Sequence, residues 1–132
     1  MIDKMPRVLI TVGMSLLSVF APAEPMCLAA LSLIFIDLIS GVAVARFQKK
    51  PITSGGLKRS VIKFFVYETT ILVAFIVQNY LTNNLLPVMN VVSSFIGITE
   101  LLSILENINI LSGGDLLKTI IDKLSSTYKD GN

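Results

Sequence analysis

The sequence predicts an all-α integral membrane protein with about four transmembrane helices, a short amphipathic C-terminal helix and both termini in the cytoplasm. Three observations carry that prediction. Apolar residues make up 53% of the 132 and charged residues only 15%, against roughly 25% charged in an ordinary soluble domain. Mean hydropathy is +0.76. All eleven Lys and Arg fall on alternate connections between four apolar segments. A chain so poor in charge has little polar surface to offer water, whereas lipid asks for none. At this length residues 1–132 read as a single membrane domain.

The first segment, Val8 to Ala23, is short for a hydrocarbon core roughly 30 Å thick and needs its flanks to adjust. Lys4, Arg7 and the sequence Ala21-Pro22-Ala23 also imitate a secretory signal with its cleavage site. Proline between the two alanines is a poor cleavage context, so the segment reads as a retained span. Met26 to Ala45 is long enough alone. Phe64 to Leu81 and Leu85 to Leu105 complete the set. Residues 115–128 come after two glycines: Asp115 is placed to cap a helix, and Leu116, Leu117, Ile120, Ile121 and Leu124 fall on one face opposite Lys118, Asp122 and Lys123. Such a helix lies on lipid headgroups or packs on a neighbour.

The basic residues orient the spans. Lys4 and Arg7 precede the first. Arg46, Lys49, Lys50, Lys58, Arg59 and Lys63 lie between the second and third. Lys118, Lys123 and Lys129 come after the fourth. The two remaining connections carry none, so the positive-inside rule puts the termini and the Arg46 to Lys63 loop of this multi-pass chain in the cytoplasm.

Acidic residues inside a membrane are costly and face protein or water rather than lipid. Asp37, Glu68 and Glu100 are such residues, with Glu106 at the border. Counted from the cytoplasmic ends, the first three form one layer about 7 to 12 Å deep. Ser93, Gly97, Glu100, Ser103 and Asn107 share about a third of the circumference of the fourth segment, a face interrupted by Ile96 and Ile104. Ala30, Asp37, Ser40, Gly41 and Ala45 mark a similar face on the second, and Thr11, Ser15 and Ser18 one side of the first. Small residues allow close helix approach, and hydroxyls bond across it. This pattern has two readings. The acids lock a bundle, either protonated or paired with Lys58, Arg59 or Lys63, or the same face lines a water-filled opening.

Enzymatic chemistry finds little footing. There is no His, Cys27 has no basic partner nearby, and Ser54 to Arg59, SGGLKR, lacks the spacing of a phosphate loop. No cofactor or metal is expected, and the short basic loop is no nucleic-acid site.

DLISG at Asp37 to Gly41, KKPITSGGLKRSVIK at Lys49 to Lys63 and ELLSILEN at Glu100 to Asn107 together resemble the phage lysis and toxin-secretion holin family. The resemblance spans about Leu31 to Gly113, and its last motif is the most specific. Downstream this chain reads INILSGGD where family members often have a Gly-x-Pro segment. The resemblance implies a small protein that oligomerises with itself in the bacterial cytoplasmic membrane. At a set time it opens lesions that release a cell-wall hydrolase (an endolysin) or a secreted toxin. The rival functions are a small ion channel or transporter, and a non-conducting membrane subunit of a larger assembly. Internal repeats or broken helices would favour a transporter, and none stands out.

Overall fold

The computed structural model describes residues 4–130, and every regular element among them is helical. Helix α1, Met5–Val19, ends after 15 residues. The Phe20 amide turns back to the Leu17 carbonyl at 3.1 Å, and a 3-10 turn, Ala21–Ala23, comes next. Pro22 in that turn has no N–H with which to continue an α-helix. Helix α2, Glu24–Phe47, starts at once, with Pro25 in its first turn where the missing donor is harmless. It ends at a tight reversal in which Lys49 has φ 55° and the Lys50 amide bonds the Ala45 carbonyl at 2.8 Å.

Helix α3, Ser54–Ile76, is continued by a π-helical turn, Val77–Leu81. Asn83 and Asn84 then take left-handed backbone conformations, which asparagine tolerates better than most residues. The Gln78 side-chain oxygen accepts a 3.0 Å hydrogen bond from the Met89 amide, satisfying a donor in the first turn of α4, Val88–Leu111. Gly113 and Gly114, both with φ near 90°, end α4 and admit α5, Leu116–Asp130. Asp115 stands just before α5 as expected. The side-chain bond into its first turn comes instead from Asn109, whose Oδ1 accepts from the Leu117 amide at 3.0 Å. A residue reaching across the turn from α4 thus also ties the two helices.

Helices α2, α3 and α4 pack against one another as a three-helix bundle, while α5 contacts α4 alone and α1 approaches only the Ala21–Ala23 turn. The apolar core lies at the end of the bundle that carries the two short turns. There Ala23, Ala30, Ile71, Ala74, Phe75, Met89 and Ile96 are buried together. Ala30 and Ala74 let α2 and α3 approach closely, and the Phe20 ring tilts onto Phe75 with centroids 5.6 Å apart. The outer faces are apolar as well: Phe35, Phe65 and Phe95 are each at least 60% exposed. Leaving such faces to water forfeits about 25 cal/mol per Å², and lipid removes that cost.

Three stretches, Ala21–Phe47, Ser54–Leu81 and Val88–Leu111, are long and apolar enough to cross a membrane. The fourth expected span is the exception. Helix α1 is about 22 Å long at 1.5 Å per residue, short of a hydrocarbon core of about 30 Å, because the Phe20–Pro22 turn stops it. The other helices outrun the apolar segments that mark them in the sequence. Helix α3 begins ten residues earlier than Phe64 and α4 runs to Leu111, because the polar residues Ser54 to Lys63 extend the helix beyond its apolar part.

Candidate functional site

Three helices bring one ionic cluster together in the bundle. Helix α2 presents Asp37 and Ser40, three residues apart. Helix α3 presents Lys63 and Tyr67, four apart. Helix α4 presents Glu100, Ser103 and Asn107, at spacings of three and four. Each set occupies one face of its helix. The Lys63 ammonium stands 2.8 Å from Asp37 Oδ2 and 3.0 Å from both carboxylate oxygens of Glu100. The Tyr67 hydroxyl donates to Glu100 Oε1 at 2.8 Å. The Ser103 hydroxyl donates to Asp37 Oδ1 at 2.7 Å, and the Asn107 amide donates to Ser40 Oγ at 2.9 Å and to Asp37 Oδ1 at 3.3 Å.

Burial sets the energetics. The Glu100 side chain has no exposed surface, while those of Asp37 and Lys63 keep 14% and 15%. A charge taken out of water is tolerable only when paired and hydrogen-bonded. Every partner of the two carboxylates is a donor, as ionised carboxylates require. In that form two negative charges share one ammonium, so the cluster carries a surplus negative charge. By helix rise the three charged residues lie roughly 14 to 17 Å from the loop ends of their helices, deeper than apolar-segment ends alone imply.

The other candidate residues are placed differently. Glu68 is outside the cluster: one of its carboxylate oxygens is buried without a hydrogen-bond partner, and the Cys27 thiol lies beside it. Glu106 is exposed on α4. The Ser93 hydroxyl meets Met26 Sδ at 3.1 Å, far from the acids. A methyl group added at Gly97 would touch nothing within 4 Å, whereas one at Gly41 would lie 3.8 Å from the Asn107 amide nitrogen. Of the six cations expected on a basic loop, only Lys49 and Lys50 stand in the connection, because α2 runs on through Arg46 and α3 already includes Lys58, Arg59 and Lys63; Lys63 joins the cluster and the other five are exposed. Tyr67 is a member of the cluster that no motif or acidic pattern in the sequence marks. Its signal is the four-residue spacing from Lys63, which becomes visible once α3 is known to begin at Ser54.

A bundle of long, externally apolar helices held by an interior ionic cluster defines a membrane protein whose polar residues face one another. Comparison with known proteins places it further. A family model described as the bacteriophage holin family matches residues 15–129, and the chain belongs to that family. The matched region takes in the whole Asp37–Lys63–Glu100 cluster, and the family is not an enzyme family. No curated protein and no solved structure matches the chain.

Proposed function

We propose that this protein accumulates and oligomerises in the bacterial cytoplasmic membrane and opens lesions that release a cell-wall hydrolase or a secreted protein. The observation that carries the reading is the largely buried cluster of Lys63, Asp37 and Glu100. It joins all three bundle helices and is expensive to hold out of water, yet needs no partner once hydrated. Such a cluster stores a difference between a bundle whose helices face one another and an assembly whose polar faces line water.

In this reading the Gln48–Thr53 connection and both termini face the cytoplasm, because the basic residues crowd those positions. Helix α1 is a fourth, short crossing, with Lys4 and Arg7 at its cytoplasmic end reaching to the headgroups. The protein performs no catalysis. Its partners are other copies of itself, the bilayer, and the hydrolase or toxin it lets pass.

The test uses cells that express the protein together with a cytoplasmic cell-wall hydrolase. Abrupt permeabilisation with escape of the folded hydrolase is expected. Depolarisation with the hydrolase retained would make the protein an ion channel, and unchanged permeability at every expression level would make it a non-conducting subunit.

A further inference from the structure

A crevice of about 500 Å³ opens between α2, α3, α4 and the Gln48–Thr53 connection, at the loop end of the bundle. Four residues of the cluster, Asp37, Lys63, Ser103 and Asn107, line it, and neither Glu100 nor Tyr67 does. Its walls are mostly apolar: Leu38 and Val42 from α2, Ile52 from the connection and Leu57 from α3. Ile52 and Leu57 are both more than half exposed, so the crevice presents uncovered apolar surface. Arg59 lines it too, and among the described residues no ion pair engages its guanidinium. The Thr53 hydroxyl, also in the lining, makes no capping bond to α3.

These features select one chemistry. An unpaired guanidinium in a mostly apolar crevice suits a phosphate, to which arginine donates two parallel hydrogen bonds. The Asp37 carboxylate repels an anion that penetrates further. A free phosphate would leave Leu38, Val42, Ile52 and Leu57 uncovered, whereas an acyl chain attached to the phosphate covers them. We propose that this crevice binds one anionic phospholipid, with its phosphate at Arg59 and an acyl chain along Leu38, Val42 and Leu57. The proposal rests on the loop end of the bundle lying at headgroup level and is independent of whether the protein opens lesions.

Native mass spectrometry of the full chain, purified in detergent and supplied with equal amounts of phosphatidylglycerol and phosphatidylcholine, tests it. Phosphatidylglycerol should be retained in preference by about fivefold, equivalent to roughly 1 kcal/mol, the scale of one basic residue at an anionic membrane surface. Arg59→Gln should abolish that preference. So should Ala45→Phe, which fills the crevice without changing charge, helical content being checked by circular dichroism. Arg46→Gln, an exposed basic residue outside the crevice lining, should leave the preference intact. Equal retention of the two lipids overturns the proposal, as does an equal loss in Arg46→Gln, the mark of diffuse attraction to the loop. Displacement by inorganic phosphate with Ala45→Phe behaving as wild type would reveal a free-anion site instead. A photocrosslinker at position 38 that captures a second copy of the chain would show the crevice to be an interface.

Discussion

The Lys63 ammonium lies 3.0 Å from both carboxylate oxygens of Glu100, and the Glu100 side chain is fully buried. The same ammonium reaches Asp37 on α2, so one cation from α3 holds two acids on two other helices. Removing the cation and removing an acid therefore have opposite consequences.

Lys63→Met leaves two carboxylates facing each other without a cation. Breaking a buried pair in this way costs on the order of 3–5 kcal/mol. A marked fall in Tm in detergent is expected, with early permeabilisation in cells at equal membrane abundance. An unchanged Tm and unchanged timing would show that the cluster does not hold the bundle.

Glu100→Gln keeps the shape and leaves Lys63 paired one to one with Asp37, although the amide offers one acceptor where the carboxylate offered two and gives up one of the contacts to Lys63. The surplus negative charge is gone, so the bundle gains relative to the hydrated assembly. Permeabilisation and lysis should be delayed. Timing equal to wild type would favour a scaffold, which is indifferent to hydrating its acids.

Tyr67→Phe removes the hydroxyl that donates to Glu100. A lost hydrogen bond to a buried charged group costs about 1.5–3 kcal/mol. The variant should be less stable than wild type yet more stable than Lys63→Met, as read by thermal melts in one detergent.

Gly41→Ala should be tolerated, because the added methyl makes ordinary contact with Asn107. Gly41→Leu should push Asn107 away from Ser40 and Asp37 and lower stability by about 1–3 kcal/mol. Leu101→Ala, at a half-exposed position, is the control and should melt nearly as wild type. If Gly41→Leu did so too, the α2–α4 contact would be looser than the geometry indicates.

For topology, single cysteines at Leu85, in the exposed turn before α4, and at Ser54, at the start of α3, are compared in a Cys27→Ser background. An impermeant thiol reagent applied to intact spheroplasts should label position 85 and spare position 54. Labelling of position 54 would reverse the orientation.

Helix periods, apolar runs and the spacing of basic residues are local properties, carried by residues close together along the chain. An all-helical chain built for lipid, the approximate places of α2, α3 and α4, and polar faces holding Asp37 and Glu100 were all legible there. Which residues meet depends on the axial offset and rotation of three helices, and no local pattern fixes either. Lys58, Arg59 and Lys63 are equivalent cations in the sequence. Lys63 alone faces Asp37 and Glu100, with Tyr67 one turn further along the same face. Glu68, one residue beyond Tyr67, is turned about 100° away, and that single step separates it from the cluster. Likewise α1 is apolar enough to read as a span, but the turn at Phe20 to Pro22 stops it at 15 residues. A run of hydropathy records composition, and where the hydrogen-bonded helix ends depends on which backbone groups find partners.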